Sequence, residues 1–198
     1  MLTGRLIPDD RGVTLVELIV VLVIVSAVII MAAVSPGFVG TERVNKVSHE
    51  LLGDLQNLRH SAMTQGPDGS ATALRGYGVR FESEHSYRIF RFNDSDVNFM
   101  YNGQSEEAAL PGESAPLMRR IPAPAVLKIK DNKDLVVPVD TVLIFDRHGI
   151  PRQRTMGFQL MSIIVENPDA GDVRKKCISI SFNRIREGIW DGEDCQEQ

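Results

Sequence analysis

Four histidines, His49, His60, His85 and His148, are the side chains best suited to acid–base work near neutral pH, and they are scattered along the chain. No His-Glu-x-x-His pair sets two imidazoles on one helix face for zinc. No G-x-S-x-G turn presents a serine nucleophile, and no glycine-rich loop ends in the lysine that cradles phosphates. Asp94 and Asp96 in NDSDVN offer clustered oxygens of the kind calcium takes. The glycine and closing glutamate of an EF-hand do not follow, so a solvated turn is expected there and no metal. Neither an enzyme nor a cofactor is expected from this set.

Charged side chains offer other chemistry. Arg174, Lys175 and Lys176 precede Cys177, and Arg184 and Arg186 follow the next apolar run; Arg147, Arg152 and Arg154 follow another. At the end of a sheet these could cluster into a patch that contacts phosphates through point charges and bidentate guanidinium bonds. The competing expectations are a solvated strand end, with the arginines paired to Glu187, Asp191 or Glu193, and a contact with a protein partner. The net charge of −4 argues against a broadly basic nucleic-acid binder but leaves room for a local patch. Two cysteines are too few for a zinc finger. Cys177 and Cys195 can form one disulfide in an oxidising compartment, or remain two thiols.

One carboxylate stands apart. Glu17 lies near the start of RGVTLVELIVVLVIVSAVIIMAAV, and from Leu18 to Val34 no residue is charged. Counted from Val13 the run is about 22 residues, or about 33 Å as a helix, enough for a hydrocarbon core of about 30 Å. A cleaved secretory signal would need a basic start and a shorter apolar core, whereas MLTGRLIPDDRG balances two acids with two bases. A plain membrane anchor explains the length but not the carboxylate, which costs about 2.5–3.5 kcal/mol at a helix centre and less near its end.

These residues need elements to position them. Ser35, Pro36 and Gly37 interrupt the apolar run, either bending the helix or ending it. Val44, Val47, Leu51, Leu55, Leu58 and Ala62 then recur at spacings of three and four, with polar residues on the other faces, and Gly66 and Pro67 stop the pattern. This predicts an amphipathic helix that lays one face on a sheet. YGVRF and SYRIFRF flank ESEH as a hairpin; FQLMSIIVE and KKCISISF flank NPDAGDV as a second. AVLKIK and TVLIFD are further strands, while NDSDVN and NGQSEEAALPGESAP read as loops. A long N-terminal helix followed by an antiparallel sheet gives an α+β fold, with roughly 160 residues outside the apolar segment, enough for one domain with its own core.

The run Gly12, apolar, Thr14, Leu15, apolar, Glu17, Leu18 resembles the class III signal of type IV pilins and type II secretion pseudopilins. The resemblance implies cleavage by a prepilin peptidase between Gly12 and Val13, with methylation of the new amine on Val13. The family usually has phenylalanine after the cut; this chain has Val13. It also implies a chain organised as a leader (1–12), a membrane and filament-core helix (13–35), its amphipathic continuation (36–66) and a β-rich periplasmic head (67–198). TVLIFDRHGIP and KKCISISFNRIREG resemble the minor pseudopilin H and FimT-like group. The implied role is a structural subunit of a type II secretion pseudopilus, held in the bacterial inner membrane with its head in the periplasm until it joins other pilins or pseudopilins.

In such a filament, Glu17 can pair with the amine of a neighbour's Val13, since a wrong register would leave both charges unpaired in apolar surroundings. A periplasmic head would place Cys177 and Cys195 where disulfides form, closing a loop worth about 3 kcal/mol. FimT-like pilins of DNA uptake carry a glycine-arginine-x-arginine motif that contributes to DNA binding. Here Asn183, Arg184, Ile185 and Arg186 stand in its place, and asparagine tolerates a left-handed turn better than most residues. The alternatives to the secretion subunit are therefore a DNA-binding minor pilin and an ordinary membrane-anchored periplasmic domain.

Overall fold

The computed structural model describes residues 14–33, 36–65, 74–131, 134–136, 138–170 and 175–197. The chain divides into two compact units, Met1–Val39 and Gly40–Gln198. Helix α1 is Leu15–Ala33 and helix α2 is Pro36–Thr64. Strands β1 (Leu74–Ser83), β2 (Ser86–Asn93), β3 (Glu107–Ala108), β4 (Leu117–Arg120), β5 (Val126–Asp131) and β6 (Asp134–Val136) follow. Then come β7 (Thr141–Asp146), β8 (Pro151–Arg152), β9 (Met161–Glu166), β10 (Lys176–Ile180), β11 (Ile185–Trp190) and β12 (Cys195–Glu197).

Helix α1 starts on Thr14, whose Oγ1 accepts the Glu17 amide at 3.2 Å while its carbonyl accepts the Leu18 amide at 3.1 Å. Thr14 is thus the N-cap and Glu17 the third helical residue, the spacing of a capping box. The side chains of Leu15 to Ile29 are exposed. The 19 described residues of α1 make about 28 Å at 1.5 Å per residue. Among the described residues no helix is long and apolar enough to cross a membrane. Residues 13 and 34, which would extend the apolar run, lie outside the described residues. Helix α1 is described to Ala33 and α2 from Pro36; residues 34 and 35, where the expected interruption begins, lie outside the described residues.

In the head, Val44, Val47, Leu51, Leu55, Leu58 and Ala62 are all buried, so the predicted stripe is the packed face of α2. It lies against two antiparallel sheets. The first has the order β3-β2-β1-β7-β8, with β4 also on β2; the second is β12-β11-β10-β9-β5-β6. Strands alternate sides every residue. Tyr77, Val79 and Phe81 of β1 and Leu143 and Phe145 of β7 therefore join the α2 core together with Ile163, Val165 and Ile178 of the second sheet. On the opposite face of the first sheet, Phe90, Phe92, Val142 and Ile144 gather around Tyr101 in a second, smaller core.

The predicted hairpins are present: β1 and β2 turn at Glu84–His85, and β9 pairs with β10. Two expectations need correction. The polar stretch after Asn102 is not only loop. It contains a 3₁₀ turn, Gln104–Glu106, and the edge strand β3. The C-terminal tail is not merely tethered to the sheet, because Ile185–Trp190 and Cys195–Glu197 are two of its strands. The disulfide Cys177–Cys195, with S–S 2.03 Å and Cα–Cα 5.8 Å, crosses from β10 over β11 to β12. Gly188 makes room for it. A Cβ there would stand 2.3 Å from the Gln196 carbonyl and 3.1 Å from Cys195 Sγ.

Candidate functional site

Two places carry the charged side chains singled out above. At the first, Glu17 sits in the opening turn of α1, where a negative side chain complements the exposed backbone N–H groups. It is solvent-exposed, on a helix with no other charged side chain. Gly12 and Val13 lie outside the described residues.

At the second, β10 and β11 are joined by the turn Ser181–Arg184. The Arg184 carbonyl accepts both the Ser181 amide at 2.9 Å and its Oγ at 3.2 Å. Arg59 of α2 donates to the Asn183 carbonyl at 2.7 Å, tying the turn to the helix. The Arg59 Nε is enclosed without a hydrogen-bond partner. Arg59, His60 and Met63 from α2 and Asn183 to Arg186 from the turn line an open cleft of about 450 Å³ with no carboxylate in its lining. The turn after β7 closes in from the side: Gly149, at φ +71°, lies so near α2 that a Cβ would meet Met63 Sδ at 2.7 Å. Sequence reasoning found Arg184 and Arg186 but not Arg59 or His60. These sit on the polar side of α2, and nothing local marks which polar residues meet the turn.

Of the acids expected beside these arginines, Glu187 and Asp191 make other contacts as well. Glu187 accepts from Ser48 Oγ at 2.8 Å and lies 3.4 Å from His49 and 3.7 Å from Lys176. Asp191 accepts the amides of Asp194 and Glu193 and the Gln196 side chain, and these bonds hold its carboxyl at a pKa of about 2. The Glu193 carbonyl accepts from Lys130, which also pairs with Asp194 at 2.9 Å.

The expected single basic patch does not form. Lys176 pairs with Ile189 in the ladder, whereas Ile180 pairs with Ile185, so Lys175 and Lys176 stand at the opposite end of β10 from Arg184. There Lys175 reaches Glu166 at 2.8 Å and Lys128 reaches it at 2.5 Å. Burial raises the Glu166 carboxyl, but the two ammonium groups outweigh it and the pKa ends below the usual value. Arg174 lies outside the described residues. Arg152 is held by Asp146 at 2.8 Å, and Arg154 lies over the Tyr101 ring at 5.5 Å.

Asp94 and Asp96 do form an acidic group, with Glu106 as a third member that sequence spacing did not reveal. Asp94 accepts the amides of Asn98 and Phe99, and Glu106 accepts the amide of Asn102 at 2.6 Å. The carboxylates therefore already shape the turn.

The chain presents a capped apolar helix with one carboxylate in its first turn, followed in sequence by an amphipathic helix laid on antiparallel sheets. Residues 7–33 match the prokaryotic N-terminal methylation motif. Over 92 residues the chain is 32% identical to the type II secretion system protein H of Pseudomonas aeruginosa, covering 46% of this chain and 48% of that protein. The chain thus spans about half the length of the curated relative it matches. No solved structure matches it. The motif and the similarity support the type IV pilin and pseudopilin superfamily that the sequence resembles.

Proposed function

We propose that the chain is a minor pseudopilin, a structural subunit of a type II secretion pseudopilus. A prepilin peptidase cuts the precursor between Gly12 and Val13, and the Val13 amine is methylated. The apolar run from Val13 to Val34 anchors the subunit in the bacterial inner membrane, with the head in the periplasm. The subunit then leaves the bilayer for a filament of other pilins or pseudopilins. The observation that carries this reading is Glu17: one exposed carboxylate in the first turn of an otherwise uncharged apolar helix, inside a methylation motif. Cleavage creates a positive amine four residues away, about one helical turn. A neighbour offset along the filament can present its amine to this carboxylate, and only the matching register avoids two unpaired charges in apolar surroundings.

The experiment is incorporation of a Glu17→Ala variant into sheared filaments, beside Glu17→Asp. Reduced incorporation of the alanine variant, with normal membrane levels, supports the pairing. Wild-type incorporation removes it.

A second reading, DNA contact by a minor pilin, draws on Arg184 and Arg186 beside the carboxylate-free cleft. Binding of duplex DNA to the detergent-solubilised full chain across a salt series, with an Arg184→Ala, Arg186→Ala variant alongside, decides it. Phosphate contacts lose affinity as salt rises and vanish with the arginines. Absence of binding at low salt removes this reading.

A further inference from the structure

Phe158 and Phe182 are 57% and 46% exposed, yet their rings meet edge to face with centroids 4.8 Å apart. Both positions are fixed by backbone. Phe158 bridges to Arg152 at the end of β8, and Phe182 lies in the β10–β11 turn that Arg59 holds. The Arg152 guanidinium covers Phe158 at 4.6 Å from the ring centroid and is itself anchored on Asp146. Two large aromatic side chains are therefore presented to solvent in one rigid arrangement, with Leu160 exposed two residues beyond Phe158.

The charges around them follow a pattern. Elsewhere in the head, cationic side chains sit on carboxylates: Arg80 on Glu107, Arg88 on Glu82, Arg119 on Asp54, Lys128 on Glu166. The turn after β7 carries Arg147, the turn leading into Phe158 carries Arg154, and the Phe182 turn carries Arg184. All three are exposed, and among the described residues none has an ion-pair partner. An exposed aromatic pair, with exposed arginines on the turns that carry it and beside it that meet no carboxylate among the described residues, Arg154 resting on the Tyr101 ring, has the composition of a protein interface.

We propose that this face, formed by the turns at 147–150, 153–158 and 181–184, docks a protein surface that offers an apolar pocket for Phe158 and Phe182 ringed by carboxylates. Opposite charges would meet Arg147, Arg154 and Arg184 at the rim, setting register, while the two rings supply the buried centre. Nucleic acid fits less well. Stacking needs open ring faces, and here Arg152 covers Phe158 while the second ring abuts it. The inference rests on the reading of the head as the contact-making part of a filament subunit.

The test uses the full chain in cells that assemble the filament, with p-benzoylphenylalanine in place of Phe182, and in a control in place of the exposed His85. Irradiation is expected to give a discrete protein adduct at 182 and not at 85. Arg154→Glu with Arg184→Glu should reduce it by about tenfold or more, the scale of one interfacial charge pair. Arg184→Lys should retain it. Lysine in place of the partner carboxylate nearest the crosslinked peptide should restore it in the charge-reversed chain. Adducts that are digested by nuclease or extracted with lipid, that persist through charge reversal, or that are no stronger than at 85 overturn the proposal. Thermal melting of the purified variants checks that the arginine changes leave the fold intact. The mature N-terminus, read in the same cells, keeps failure of this surface distinct from failure of the pseudopilin reading.

Discussion

Replacing Cys177 and Cys195 together by serine removes a crosslink whose value follows from the topology. The bond joins residues 18 apart and spans β11, whose two neighbours in the sheet it connects. For a closed loop of that length the chain-entropy relation gives about 3 kcal/mol at 25 °C. For a protein of this size 1 kcal/mol shifts the melting temperature by about 2–4 °C, so the loss is about 6–12 °C. The short strand β12 makes three register pairs with β11, and among the described residues it pairs with no other strand. It should detach well before the sheet melts. Thermal unfolding by circular dichroism of the oxidised protein, the reduced protein and the double-serine variant measures the shift. Hydrogen exchange at residues 188–197 measures the detachment. Reduced and double-serine proteins should agree with each other. A shift under 2 °C, or unchanged protection of β12, would refute the argument that the crosslink holds the C-terminal strand.

Two further outcomes follow from buried charge. Glu107 accepts from Arg80 at 2.6 Å and from the Tyr101 hydroxyl at 2.6 Å, and its side chain is almost fully enclosed. Glu107→Leu leaves the buried Arg80 guanidinium only Glu82 at 2.9 Å and Asp140 at 3.5 Å and removes the acceptor of the Tyr101 hydroxyl, which should cost about 1–3 kcal/mol in urea titration and loosen the second core around Tyr101. Glu166 has a folded pKa below its unfolded value, so its contribution is present above the unfolded pKa and is lost as pH falls through the folded one. Replacing Lys128 and Lys175 by methionine leaves only the burial that raises Glu166. The variant should therefore be less stable than the wild type near neutral pH and recover that difference as pH falls and Glu166 is protonated, so a stability gap that does not narrow on acidification would count against the pairing.

Helix α2 and the central strands were legible because burial there has a local signature. The spacing from Val44 to Ala62 fixes one face of a helix, and the alternation in YGVRF and TVLIFD fixes one face of a strand. Strand β3 was not legible. Glu106 and Glu107 look like loop residues, and their burial depends on Asn102, Tyr101 and on Arg80 of β1, partners that no short window contains. Strand β11 was hidden by its composition, since IREGIW lacks a steady alternation and Gly188 is there for the approach of β12 and the disulfide. At the sites, Glu17 announced itself as a lone charge in an apolar run. The capping role of Thr14 emerged only from the structure, where its Oγ1 accepts the Glu17 amide. Arg184 and Arg186 were visible as a motif, but their separation from Lys175 and Lys176 follows from the direction of β10, which composition does not encode.

The central claim is that this chain is made as a precursor and matured into a filament subunit. Intact-protein and peptide mass spectrometry of the membrane-extracted protein, from cells with and without prepilin peptidase, tests it most directly. The account predicts a mature chain that begins at Val13 with a methylated amine, and a precursor retaining residues 1–12 when the peptidase is missing. A chain that begins at Met1 in both strains would contradict it.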